Sequence, residues 1–210
     1  ADRRGREEIL RFGESCLNGR DVCWSADGKY LAMGTDAWGD LRIAIYTDDS
    51  GEVLRLPEDI PDAARLSNIW EESLPVWSPD GQRLAYVLCQ GANTWIGVVE
   101  LENRNFSKYQ IESGVHHALR FTPDGQHLVF VFDNSRQPGD IWRLDLTTGE
   151  MQPLTRSLPA AISPDDLVMP DEVWYPSLDG VQVPALLYMP HRRTDALPPA
   201  VVVIHGGPNW

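Results

Sequence analysis

The chain has 210 residues, 18 Lys and Arg against 31 Asp and Glu, and a formal charge of −13. A hydrophobic share of 42% with 23% charged residues excludes a disordered chain, a collagen-like fibre and a disulfide-dense mini-protein. The acid excess argues against nucleic acid or an anionic membrane face as a partner, and no run approaches the ~18 apolar residues of a membrane helix.

The opening Ala1-Asp2-Arg3-Arg4-Gly5-Arg6-Glu7-Glu8 is charged and lacks an apolar core, so it is not a secretory signal. Ile9-Leu10-Arg11-Phe12 reads as an outer strand whose sheet partners precede it. Then a repeat begins. Trp24-Ser25-Ala26-Asp27-Gly28 returns as Trp77-Ser78-Pro79-Asp80-Gly81 and again as Phe121-Thr122-Pro123-Asp124-Gly125. The spacings, 53 from Trp24 to Trp77 and 44 from Trp77 to Phe121, are close to the roughly 40–45 residues of a propeller blade. The longer first interval points to an inserted loop over residues 57–73, rich in Pro and acidic residues.

Each copy predicts the same local structure. A short strand ends at the aromatic residue, and the Ser/Thr-x-Asp-Gly tetrapeptide makes a tight turn whose Gly is free to take positive φ. An apolar strand follows, as in Arg83-Leu84-Ala85-Tyr86-Val87-Leu88 or His127-Leu128-Val129-Phe130-Val131-Phe132. A third strand comes next (Leu41 to Tyr46, Trp95 to Val99, Ile141 to Leu146), and a more polar fourth (Val53 to Leu56, Met151 to Leu154). Four short antiparallel strands per repeat make a propeller blade.

The repeat ends after Thr155. Ile162-Ser163-Pro164-Asp165-Asp166 imitates the motif but lacks its Gly, so residues 156–171 read as a connector. Glu172-Val173-Trp174-Tyr175 and Val181 to Met189 predict two strands joined by a hairpin turn at Ser177-Leu178-Asp179-Gly180. After a Pro-rich loop, Ala200-Val201-Val202-Val203-Ile204 shows no alternation, which predicts a strand covered on both faces. It runs into His205-Gly206-Gly207-Pro208. A buried strand followed by His-Gly-Gly is the α/β-hydrolase arrangement for one half of an oxyanion hole, where backbone must come close to substrate and point N–H inward.

The fold class expected is therefore mainly β: an incomplete β-propeller of about three four-stranded blades over residues 1–155, the connector 156–171, and the first strands of an α/β-hydrolase domain over 172–210. Three blades do not close a ring, and Trp210 comes just after a strand-like run and a Gly-Gly-Pro turn. Both features predict a fragment cut at its two ends, which folds poorly alone because apolar faces and strand edges stay uncovered.

Blades of this motif, then a connector, a strand–Asp-Gly–strand hairpin and Val-Val-Val-Ile-His-Gly-Gly-Pro resemble the prolyl oligopeptidase family of serine peptidases. The similarity is greatest to the acylaminoacyl-peptidase-like and dipeptidyl-peptidase-like branch, with TolB-like blades. The resemblance implies a propeller gating access for short peptides or acyl-peptides, and a hydrolase domain carrying Ser, Asp and His. It makes Gly207 the oxyanion N–H donor, with Gly206 and His205 shaping the loop. Glu71 and Glu72 resemble the paired carboxylates that hold a substrate amine in the dipeptidyl-peptidase branch, but their spacing departs from that pattern and a solvated acidic loop is the commoner reading. The chain departs from the family in lacking a Gly-x-Ser-x-Gly elbow. Its nearest approach, Gly13-Glu14-Ser15-Cys16-Leu17, has no final Gly. The triad would follow Trp210 in chain order, so these 210 residues alone are expected to be inactive.

Other residues carry blander readings. Cys16, Cys23 and Cys89 follow no metal spacing and cannot all pair, which suggests reduced thiols in the cytoplasm. His116 and His117 are adjacent on a strand and point to opposite faces, so they cannot share a metal and read as structural. No cofactor or metal motif is present, the expected partner is a peptide substrate, and a homo-oligomer is left open. The competing reading is a non-catalytic propeller that binds another protein.

Overall fold

The structure is a computed structural model and describes residues 20–35, 42–47, 53–56, 65–66, 75–190 and 199–204. Ile9 to Phe12 lie outside the described residues. The first sheet runs β1 (Arg20–Trp24), β2 (Tyr30–Thr35), β3 (Arg42–Thr47), β4 (Val53–Leu56), each antiparallel to the next. The second comprises β5 (Arg65–Leu66), β6 (Val76–Trp77), β7 (Arg83–Gln90), β8 (Asn93–Glu100) and β9 (Phe106–Tyr109). The third runs β10 (Val115–Phe121), β11 (His127–Asn134), β12 (Gln137–Asp145), β13 (Met151–Pro153). These are three successive propeller blades, as the repeat predicts. A hairpin of β14 (Asp171–Pro176) and β15 (Gln182–Leu187) follows.

The middle sheet explains why its apolar run is unbroken. Leu84, Ala85, Tyr86, Val87 and Leu88 are all 0% exposed. Alternate side chains leave opposite faces of a strand. Leu84, Tyr86 and Leu88 pack with Ala32, Ile43 and Ile45 of the first sheet. Ala85 and Val87 pack with Leu119, Leu128, Phe130, Phe132 and Leu144 of the third. One strand thus feeds two cores, and blades stack face to face through it.

The turn motif has one geometry in every copy. In the third sheet the Thr122 hydroxyl donates to Asp124 Oδ1 at 2.6 Å, and Asp124 Oδ1 accepts from Gln126 N at 2.9 Å. Gly125 N donates to Thr122 O, and His127 N to Thr122 Oγ1. The same bonds recur around Ser25–Asp27 and Ser78–Asp80. They recur outside the propeller as well, where Ser177 donates to Asp179 and Val181 N to Asp179 Oδ1 in the β14–β15 turn.

The first strands of the sheets share an irregularity that the repeat motif does not announce. In β1 the pairing with β2 slips between Arg20↔Gly34 and Cys23↔Ala32. In β10 it slips at the equivalent register, between His117↔Val131 and Arg120↔Val129, and Ala118 sits in the bulge at φ 54°. In the second sheet two strands share this edge of β7. β5 ends with Leu66 opposite Leu88, and β6 resumes with Val76 opposite Ala85. The expected inserted loop over 57–73 therefore needs correction: Arg65–Leu66 within it is a sheet strand, because its backbone completes the edge of β7.

The connector holds one 3-10 turn, Pro164–Asp166, capped by the Ser163 side chain accepting from Asp165 N. The covered strand expected at 200–204 does not form. Val201 to Ile204 are 83–89% exposed and outside any sheet, because among the described residues no strand lies beside them to pair their backbone.

Candidate functional site

The residues singled out for chemistry, Glu71, Glu72, His205, Gly206 and Gly207, lie outside the described residues. What is described is the ground on either side of them. Glu71 and Glu72 fall in the sequence between β5 and β6, both of which pair with β7. The oxyanion tetrapeptide follows the exposed run 199–204.

Chain exit from the propeller is fixed by a buried carboxylate. Asp140 on β12 is 3% exposed and accepts from Thr155 Oγ1 at 2.7 Å, Ser157 N at 2.8 Å and Ser157 Oγ at 2.8 Å. Burial pushes its carboxyl up, but these donors outweigh burial and hold it below the ordinary range. Thr155 Oγ1 also accepts from Ile141 N at 2.9 Å. The first residues of the connector are thereby tied to the third blade.

Beyond it, the hairpin meets the β7–β8 and β11–β12 turns. Ala92 N donates to Glu172 Oε2 at 3.5 Å, and Ser135 Oγ lies 2.9 Å from Tyr188 OH. Arg136 Nε donates to Leu167 O at 3.1 Å. These contacts are polar and exposed, while Trp174, Tyr175, Val181 and Leu186 of the hairpin present exposed apolar surface. Sequence reading missed Glu172, Arg136 and Tyr188. Only the register of the turns brings them together, and no motif marks them.

The two adjacent histidines diverge as expected. His116 is fully buried against Thr94, whereas His117 Nε2 lies 3.2 Å from Asp133 Oδ2. Thr94 and His116 form a hydroxyl–imidazole contact, yet both are buried, so no substrate reaches them. Among the described residues no group of three or more His, Cys, Asp or Glu stands close enough to hold a metal ion. No helix among them is long and apolar enough to cross a membrane.

No family model matches the sequence. A curated relative, the "uncharacterized peptidase YuxL" of Bacillus subtilis (strain 168), is 24% identical over 139 residues, 66% of this chain and 21% of that protein. The crystal structure of a puromycin hydrolase superposes with a TM-score of 0.68 at 19% identity, over 85% of this chain and 27% of that one. A structure from a study of two prolyl endopeptidases gives 0.59 at 20% identity, over 78% and 23%. TolB from Acinetobacter baumannii gives 0.51 at 19%, over 81% and 44%. At these identities the structural likeness is one of fold, and the fold is a propeller that peptidases of the prolyl oligopeptidase type share with TolB. The chain spans about a fifth of the length of its curated relative and about a quarter of the puromycin hydrolase.

Proposed function

We propose that these 210 residues are part of a serine peptidase of the prolyl oligopeptidase family, acting on short peptides or acyl-peptides. The observation that carries the reading is an order: three stacked blades, a pinned connector, a Ser-x-Asp-Gly hairpin, and an apolar run into His205-Gly206-Gly207-Pro208. A propeller alone has no use for the last of these. The curated relative named a peptidase and the puromycin hydrolase fold support the same reading.

In the proposed mechanism a serine attacks the scissile carbonyl and a histidine takes its proton. The backbone N–H of Gly207 then binds the oxygen as negative charge develops on it, where one donor can be worth roughly 3–4 kcal/mol. Glycine is suited to that place because a Cβ would hold substrate away from the amide. Serine, aspartate and histidine would come from chain beyond residue 210, so the 210-residue chain by itself is expected to be inactive. The peptidase would work in the cytoplasm, with peptide as its partner and no cofactor.

The test uses the intact peptidase. It should take a fluorophosphonate label on serine and release p-nitroaniline from aminoacyl or N-acylaminoacyl anilides. Gly207→Pro, which deletes the donor, should lower kcat by about 10²–10³-fold. An intact protein that takes no label and cleaves neither anilide would remove the peptidase reading and leave a binding propeller.

A further inference from the structure

The seam between the second and third blades contains a polar group that the proposed chemistry does not use. His116 on β10 is 0% exposed, with the Phe132 ring 4.7 Å and the Phe130 ring 5.7 Å from its own. Its Nε2 accepts from Ile111 N at 3.3 Å, and its Nδ1 lies 3.1 Å from Thr94 Oγ1. A backbone N–H can only donate, so Nε2 carries the lone pair and Nδ1 the proton. The Nδ1–H therefore donates to Thr94 Oγ1. That oxygen also accepts from His116 N, which turns its own hydrogen toward Gly114 O at 3.5 Å. Gly114 N in turn donates to Asn93 Oδ1 at 3.0 Å. One neutral tautomer thus ties β8 to residues 111–114, the connection that leads into β10.

We propose that His116 is an acid-sensitive latch on this seam: a proton taken at Nε2 expels the Ile111 N–H and frees the 111–114 connection while the sheets stay folded.

Among the described residues no counter-ion faces the ring to receive the charge. On its own strand His117 meets Asp133 of β11. Glu112 accepts from Asn134 Nδ2, and Asp140 of β12 is held by Thr155 and Ser157. From β8 it meets Thr94, which is uncharged. Burial, with His117 adding a smaller like-charge effect, depresses its proton affinity to a pKa of about 4, against a hydrogen bond to the Thr94 backbone that opposes them. The folded ring therefore resists a proton that the unfolded ring accepts near 6.5, and the stability this represents is present above 6.5 and lost as pH falls toward about 4.

The experiment follows the full chain by NMR and hydrogen exchange from pH 7 to 4. At pH 7, long-range ¹⁵N correlation should give the Nδ1–H tautomer. On acidification the Ile111 and Gly114 amides should lose protection by up to about two orders of magnitude after correction for intrinsic exchange, while Ile45 and Val87 keep theirs. His116→Gln, which cannot titrate, should flatten that pH dependence. An Nε2–H tautomer, an unchanged Ile111 amide, or simultaneous loss at Ile45 and Val87 would each overturn the proposal. The first of these needs no variant, so a misfolded His116→Gln does not shield it.

Discussion

Arg83 joins two blades with one side chain. Its Nη2 donates to Gly125 O at 2.6 Å, its guanidinium lies 5.8 Å from the Phe121 ring centre, and Asp80 Oδ2 stands 4.0 Å away. The Asp80 contact is at the limit of an ion pair and half in solvent, so it contributes little. The bond to the carbonyl is from a charged donor and is worth more, about 1.5–3 kcal/mol. On the other seam Trp77 Nε1 donates to Cys23 O at 2.9 Å and its ring stacks on Tyr30 at 5.8 Å. Arg83→Met keeps the apolar stem and removes the donor. It should destabilise the chain by about 1–2 kcal/mol in urea titration, and Arg83→Lys should restore less than half of that, because an ammonium cannot both reach the carbonyl and cover the ring. A Met variant as stable as the parent would mean that the bond to Gly125 is absent in solution.

At the scale of the element, the Ser/Thr-x-Asp-Gly turn is what sets strand order. Its aspartates share one electrostatic signature. Asp80, Asp124 and Asp179 are held below the ordinary carboxylate value of 3.8, first by the hydroxyls of Ser78, Thr122 and Ser177, then by backbone N–H groups two residues on. A depressed carboxylate contributes stability that is present above its unfolded value and lost as pH falls through the folded one. Replacing Asp27, Asp80, Asp124 and Asp179 by Asn keeps an acceptor but not the charge. Stability measured by urea at pH 3 and pH 5 should then differ less than in the parent, and an unchanged difference would mean that other carboxylates govern acid unfolding. Gly81 completes the turn at φ +71°, and a Cβ there would meet Asp27 Oδ1 at 3.3 Å; at Gly28, φ +74°, it would meet nothing. Gly81→Ala should therefore cost more than the roughly 1 kcal/mol of backbone strain expected for Gly28→Ala in the same assay. The turn was legible in sequence because hydroxyl, carboxylate and Gly are all local. Its fourth use in the β14–β15 hairpin was legible too, since Ser177-Leu178-Asp179-Gly180 carries the same letters as the blades. The bulge at Ala118 was not legible. Nothing in Leu119-Arg120 signals it, and it emerges only from registers that span two strands.

For the whole molecule, the repeated turn motif located the blades but not how the hairpin meets them. The run 200–204 shows why. Five β-branched and small residues have strand propensity whether or not a neighbour exists, and pairing is a property of the neighbour. The same holds for the junction, where Gly91 at φ +57° approaches Glu172 so closely that a Cβ would stand 2.7 Å from Oε1. Glycine there serves two ends: it takes the left-handed conformation of the β7–β8 turn, and it leaves room for a carboxylate from another part of the fold. The two can be separated by a double-mutant cycle. Gly91→Ala alone should cost about 1 kcal/mol of backbone strain and also displace Glu172, so that amides of β14 exchange faster. In a Glu172→Ala background only the strain remains, and Gly91→Ala should leave β14 exchange unchanged. If Gly91→Ala alters β14 exchange equally in both backgrounds, the hairpin does not dock through Glu172, and the polar contacts at Ser135 and Arg136 would have to position it instead.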